Sequence, residues 1–390
     1  MPASPLVEAA PGRVLVTDGE FKHTLGIVRA LADRGHEVHL VARSPRAPAV
    51  HSRAVRAWHE VPGAPAEGFG EGLLALAGSL APLSVVPVGS ASMAAAHRLR
   101  GRWPDGVRIA IAPAAAFETA SRKECTTELG RSLGLGTPRE IPVASADEAR
   151  RAWGELGAPI VLKSSREEGR KTVRYVRRES DLGRAYDEVR ALSGAGVLAQ
   201  EYVGGDGFGF SALYWEGRCM RSFMHRRVRE WPPSGGTSAS AESLPECPPL
   251  ESAGRTLLDA LAWHGVAMVE FKGDPATRLA LMEINAKFWG SHDIALAAGV
   301  CFPGDLVALL EGHTLPPQPA VPYVRFSWPF GGDLWHGLFH PSALPRVLWE
   351  AVSPTVAHNW RWSDPGPHAW EVLQWLRSTP GAWREHRELR

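Results

Sequence analysis

After a Pro- and Ala-rich start, residues 13–16 (Arg-Val-Leu-Val), with three consecutive apolar side chains, read as a short buried strand. Thr24 then reads as the cap of a helix whose apolar positions Leu25, Val28, Leu31 and Ala32 share one face, with Gly35 ending it. Residues 36–42 make the next strand. Strand, helix and strand in about 30 residues is a βαβ unit, which predicts a parallel sheet. No GxGxxG follows the first strand, where Thr17-Asp18-Gly19-Glu20 stands, so the pattern does not point to a dinucleotide site.

Residues 61–116 continue in small apolar segments, as expected of further α/β units. The periodicity predicts a helix over 119–135, broken by Gly134 to Pro138, and another over 147–156. A strand over 159–163 ends in Lys163 and meets an exposed polar loop over 164–172. Strand 173–176, helix 181–192 and strand 197–203 follow. Residues 208–215 and 218–224 read as a strand pair joined by Glu216-Gly217. The stretch 231–243 has almost no apolar content and is expected to be a loop outside the core. Helix 251–264 ends at Gly265, and a hairpin then pairs 266–273 with 278–285. Short helices are expected around 293–298 and 305–311.

Composition refines this outline. The 390 residues carry 43 basic and 42 acidic side chains, and a net charge of +1 argues against a general nucleic-acid or membrane-surface binder. Four dispersed cysteines without CxxC exclude a zinc ribbon or disulfide framework and fit a reducing compartment. The start lacks a basic n-region and an apolar h-region, and no run of about 18 apolar residues occurs, so a cytoplasmic protein without membrane contact is expected. Past Gly312 the composition shifts. Eight of the 15 tryptophans fall there, which predicts a helical aromatic extension packed on the main body.

Candidate chemistry centres on the hairpin Val269-Glu270-Phe271 and Met282-Glu283-Ile284-Asn285. A turn centred between Ala276 and Thr277 places Glu270 directly opposite Glu283, with side chains about 5 Å apart. Asn285 shares the face of Glu283, because strand side chains alternate. Opposed carboxylates repel unless something compensates. A hard divalent cation does so, and Mg²⁺ takes one or two carboxylates plus substrate phosphates. A register shifted by one, or a neutralising basic residue, would answer the same repulsion.

Only six of the basic residues are lysines, among them Lys123, Lys163, Lys171 and Lys287. A lysine retained in an arginine-rich chain suits a need for a compact point charge. Lys163, at a strand end before a basic loop holding Lys171, suits a nucleotide's phosphates or is simply a solvated terminus. Strand 197–203 ends in Gln200-Glu201-Tyr202-Val203 and then glycines, where exposed backbone groups could read an adenine edge and Asp206 could accept from ribose hydroxyls. An ordinary hairpin turn would look the same.

Together these segments resemble the ATP-grasp superfamily, specifically its carboxylate–amine ligase and carbamoyl-phosphate-synthetase-like branch, over roughly 13–312. Glu283-Ile284-Asn285-Ala286-Lys287 looks like the family's Glu-Ile-Asn-x-Arg motif, with lysine in the usual arginine's place. Arg122-Lys123, Lys163, Gln200 to Val203, and His225 to Gly236 with Arg227 and Arg229 also resemble this branch. The phosphate loop departs from it, reading Ser164-Ser165-Arg166-Glu167-Glu168-Gly169 rather than Gly-rich.

The resemblance implies both α/β and α+β architecture. A disordered segment (1–12) precedes an N-terminal parallel-sheet α/β domain (13–118). A two-lobed ATP-grasp module (119–203 and 204–312) and a Trp/Pro-rich helical extension (313–390) follow. It implies ATP with Mg²⁺, Mn²⁺ being able to substitute. Lys123, Lys163 and Lys171 would meet phosphates, Gln200, Glu201, Tyr202 and Val203 adenine, and Asp206 ribose. Glu270, Glu283 and Asn285 would hold the metal, and Arg227, Arg229 and Lys287 would stabilise charge on the transferred group. The implied reaction activates a small-molecule carboxylic acid as an acyl phosphate and joins it to an amine, releasing ADP and phosphate. Carboxylation or carbamoyl phosphate formation on the same scaffold, and non-catalytic ATP binding, are the alternatives. A homodimer is compatible with it.

Overall fold

The computed structural model describes residues 12–62, 68–165, 173–194, 196–232 and 237–388. The 1–12 segment apart from Gly12, Lys171 with its loop, and Gly235-Gly236 lie outside the described residues. The chain divides into two compact units, one drawn from Met1–Ile111, Cys301–Pro317 and Trp360–Arg390, the other from Ala112–Val300 and Gln318–Asn359.

In the first unit, strands β1 (Arg13–Val16), β2 (Glu37–Ala42), β3 (Ala57–Glu60), β4 (Leu83–Val86) and β5 (Val107–Ile109) form an all-parallel sheet in the order β3-β2-β1-β4-β5. Helices cover a parallel sheet, so its central strand is buried, and Val14, Leu15 and Val16 are wholly buried. Thr24 does not cap the first helix. The helix spans Lys22–Asp33, and the Thr24 hydroxyl, already inside it, donates to the Asp18 carbonyl at 2.7 Å. Gly35 does end it, at φ +86°.

The second unit holds two sheets. Strands β6 (Glu140–Val143), β7 (Ile160–Ser164), β8 (Val173–Val176) and β9 (Val197–Glu201) form an antiparallel sheet in the order β6-β9-β7-β8. Its register puts Ile141, Ile160, Leu162, Val176 and Ala199 on one face, packed in a core with the helices Ala146–Leu156 and Leu182–Leu192. Ser145 caps the first of these, its side chain accepting from the Glu148 amide. The opposite face carries Glu140, Lys163, Gln200 and Tyr175.

The other sheet has seven strands: β10 (Asp206–Trp215), β11 (Arg218–Trp231), β12 (Thr237–Ser243), β13 (Gly265–Asp274), β14 (Arg278–Asn285), β15 (Arg325–Ser327) and β16 (Val356–His358), in the order β14-β13-β10-β11-β12-β15-β16. Residues 237–243 are therefore not a loop. Ser238, Ala239, Ser240, Ala241 and Ser243 are buried, and small side chains permit the close packing that low apolarity concealed. Ser240 Oγ, for instance, donates to the Phe326 carbonyl at 2.9 Å. The 119–135 helix is in fact two, Ala114–Ser121 and Lys123–Ser132, separated at Arg122, whose φ −112° and ψ 116° are extended. That break sets Lys123 at the first position of its helix.

Candidate functional site

The hairpin register is the one that the spacing predicts. Met268 pairs with Asn285, Val269 with Ile284 and Glu270 with Glu283, and a bulge at Met282 then shifts the pairing towards the turn. The two carboxylates thus stand side by side on one face of the seven-stranded sheet. The row continues across the sheet through Gly209, paired with Glu270, to His225. A Cβ on Gly209 would lie 2.2 Å from His225 Cε1, so the bare glycine is what lets the imidazole lie over β10. His225 Nε2 hydrogen-bonds Ser291 Oγ at 3.0 Å, and burial, reinforced by Arg227, pulls the imidazole down to about 3, leaving it neutral.

Cations gather on the carboxylate pair. Arg227 Nη2 donates to Glu270 Oε2 at 2.6 Å, and its Nη1 to Glu230 Oε1 at 3.3 Å. Lys123 Nζ lies 3.5 Å from Glu283 Oε2. Asn285 Nδ2 donates to Glu283 Oε1 at 3.2 Å, and Lys287 Nζ donates to Asn285 Oδ1 at 2.8 Å. The two carboxylates nonetheless differ. Burial pushes Glu270 up to about 7, against the pull of Arg227, and Glu283 and Glu230 add to the rise. Burial pushes Glu283 the same way, but the ammonium of Lys123, then those of Lys287 and Lys163, hold it below the ordinary carboxylate value. One carboxylate is well compensated and its neighbour is not.

Lys163 is buried and forms a 2.7 Å ion pair with Glu140, whose Oε1 also accepts from Gln200 Nε2. Burial pulls the Lys163 ammonium below its ordinary value; Glu140 opposes this and the nearby Lys123 adds to it. Glu201 accepts from Arg139 Nε at 2.9 Å and Arg278 Nη2 at 2.7 Å, and its amide donates to the Arg139 carbonyl, so its side chain is tied outside the cluster. Val203 is buried and Tyr202 is 43% exposed. Lys272 sits over the Tyr202 ring at 5.0 Å, and the edge of Tyr175 meets that ring at 6.0 Å. Beside them a cavity of about 340 Å³ is lined by Ala158, Pro159, Tyr175, Arg177 and Tyr202.

The structure thus brings together Lys123, Lys163, Arg227, Glu270, Glu283, Asn285 and Lys287. Besides Glu201, two expected residues are engaged elsewhere. Asp206 pairs with Arg226 at 3.0 Å. Arg229 donates to both oxygens of Asp333, at 2.6 and 2.7 Å, and to Glu350. Strand alternation would align Arg229 with Arg227, but the register passes from Arg227–Ala241 to Arg229–Ser240, and the extra residue, Val228, turns the two guanidinia to opposite faces. Glu140, Glu230 and Tyr175 are the neighbours that motif reasoning missed. Alternation within each strand marks Glu140 and Tyr175 as polar-face residues, whereas their meeting with Lys163 and the carboxylates depends on strand order.

Two carboxylates and an amide oxygen are a hard-cation donor set, and Glu270 lacks full compensation, so the residues present fit a divalent ion. Among the described residues no group of three His, Cys, Asp or Glu side chains could hold a metal ion.

No family model matches the chain. It is 26% identical over 220 residues to pyruvate carboxylase 1 of Caenorhabditis elegans, covering 51% of this chain and 18% of that protein. It is 33% identical over 92 residues to a D-alanine–D-alanine ligase of Desulforudis audaxviator, covering 23% of this chain and 30% of that one. The chain therefore spans less than a third of either curated relative. Among solved structures, N5-carboxyaminoimidazole synthetase of Staphylococcus aureus complexed with ADP superposes with a TM-score of 0.65 at 13% identity, over 84% of this chain and 86% of that one. The biotin carboxylase domain dimer of Hydrogenobacter thermophilus 2-oxoglutarate carboxylase, in complex with MgADP and bicarbonate, gives 0.64 at 18%, over 80% and 72%. The chain shares the fold of these two structures, with a parallel-sheet domain followed in the sequence by a unit of two further sheets. No helix among the described residues is long and apolar enough to cross a membrane.

Proposed function

We propose that the protein is an ADP-forming ATP-grasp ligase that activates a small carboxylic acid with ATP and passes the acyl group to an amine. The observation that carries this reading is the in-register Glu270–Glu283 pair with Arg227, Lys123 and Lys287 converging on it. Glu270, Glu283 and Asn285 would hold Mg²⁺, which neutralises phosphate charge when bound. Lys123 and Lys163 receive the nucleotide's phosphates, and the Gln200–Val203 strand end receives adenine. The substrate carboxylate attacks the γ-phosphorus and expels ADP. The amine then attacks the acyl carbon, loses its proton and expels phosphate. Arg227 and Lys287, fixed beside the carboxylates, stabilise the charge that develops on the transferred group; the protein's part is positioning and preorganised electrostatics.

The bicarbonate in the Hydrogenobacter carboxylase complex favours including bicarbonate among the acids, since its phosphorylation is the same chemistry on the smallest substrate. The dimeric carboxylase domain among the structural neighbours makes a homodimer part of this reading. Phosphate release from MgATP across a panel of acids, bicarbonate and amines, followed by mass detection of the adduct, tests it. The reading requires turnover that depends on a particular acid, and Glu283→Gln retaining full turnover would refute it.

A further inference from the structure

Arg229 faces away from the carboxylates, yet it sits two residues from Arg227 in a strand whose pairing skips Val228. Segment 325–358 grips this end of β11 at three successive residues. The Arg229 guanidinium forks onto Asp333 and reaches Glu350, both acids being wholly buried. Ser327 Oγ donates to Asp333 Oδ2 at 2.7 Å, while Arg325 and Arg346 donate to Glu350 at 3.1 and 2.7 Å. One residue on, His336 Nδ1 lies 3.1 Å from the Glu230 carbonyl. Next, Trp231 stacks on Phe339 at 5.1 Å and Trp335 at 6.3 Å, and Gly332, at φ +135°, passes so close that a Cβ would lie 2.8 Å from Trp231 Cβ.

A bulge adds one residue against its partner strand and redirects the side chains beyond it. Here it sends Arg229 to one face and leaves Arg227 on the other, 2.6 Å from Glu270. We propose that Arg229 is a positioning residue: its fork on Asp333, backed by Glu350, pins the Val228 bulge and thereby aims Arg227 at Glu270. The 325–358 segment is on this account part of the site's framework, and the inference rests on the proposed ligase reading only for its kinetic consequence. A two-toothed guanidinium–carboxylate pair fixes orientation as well as distance, which a single point charge does not.

The test uses Arg229→Gln, Asp333→Asn, Arg229→Lys, Arg227→Gln and the Arg227→Gln/Arg229→Gln double variant of the whole chain. ATP formation from MgADP and acetyl phosphate, the reverse of acyl phosphate formation, gives kcat without knowledge of the natural acid. Calorimetry gives the MgADP Kd. In Arg229→Gln and Asp333→Asn, kcat falls about ten- to a hundredfold, the scale of a displacement of about 1 Å in a positioned group. The MgADP Kd stays within about twofold, since uniform binding is untouched. Arg229→Lys recovers only part of kcat, and the double variant is no slower than Arg227→Gln, because Arg229 acts through Arg227. Multiplying losses in the double variant, or a parallel loss of MgADP affinity, would overturn the proposal. A crystal structure of Asp333→Asn decides independently of activity: Arg227 off Glu270 with the bulge relaxed supports it, and an unchanged bulge and contact refute it. A wild-type protein that makes no ATP counts against the ligase reading alone, and the Asp333→Asn structure still decides the positioning role.

Discussion

Strand β11 carries two ionic clusters, one on each face, and they are built on opposite terms. On the face with Arg229, Asp333 and Glu350 are wholly buried and met by Arg229, Arg325 and Arg346. Burial raises Glu350, but the hydrogen bonds from Arg229 and Arg346 overcome it and bring its carboxyl down to about 2. On the face with Arg227, Glu270 is held up at about 7 by its burial and its acidic neighbours although Arg227 touches it. In the first cluster both buried carboxylates are met by guanidinium groups, as buried charges in a framework must be. The second keeps its charge unbalanced at the point where a ligand would complete it, a pattern typical of functional sites.

The comparison predicts that equivalent substitutions on the two faces do different damage. Glu283→Gln should lower turnover by about a hundredfold or more, on the scale of losing one preorganised charge contact, with little loss of folding stability. Thermal melts beside the phosphate assay check both halves. Glu350→Ala does the reverse: it removes the buried acid that Arg229, Arg325 and Arg346 share, leaving Arg229 to Asp333 and Arg325 to Glu242. It should cost about 3–5 kcal/mol of stability, read from the denaturant midpoint.

A smaller effect, about 1–3 kcal/mol, is expected for Gly209→Ala, where the new methyl must displace the His225 ring. The pH dependence separates the faces again. Glu270 has a folded value above the ordinary 4.5, so the folded protein binds more protons than the unfolded one across that interval. Metal-free stability should therefore fall as pH rises from about 4.5 to 7, and Glu270→Gln should lack that slope. Glu350 has the opposite sign: its contribution is complete above about 4.5 and disappears as pH falls towards 2. The smallest effect belongs to Lys287→Arg, which keeps the charge and offers the fork usual in similar motifs. Turnover within about tenfold of wild type is expected, against a larger loss in Lys287→Met.

The carboxylate face was legible in the sequence and the face with Arg229 was not. Glu270 and Glu283 are joined by a short turn, so local spacing sets their register, and a bulge at Met282 leaves the critical pair in place. The pairing of Lys163 with Glu140 depends on β6 and β7 both flanking β9, an order that no local pattern contains. Arg229 was expected beside Arg227 from the resemblance alone, and no motif carries the Val228 bulge that turns it to the other face. Strand β12 was hidden because alternating serine and alanine look like a loop until two neighbouring strands are known to enclose them.

The central claim is that Glu270 and Glu283 grip a metal–nucleotide. Mn²⁺ paramagnetic resonance with ADP present, on wild type, Glu270→Gln and Glu283→Gln, tests it directly. The account predicts bound Mn²⁺ that depends on ADP in the wild type and is lost in both variants. Equal Mn²⁺ binding in all three proteins would contradict it.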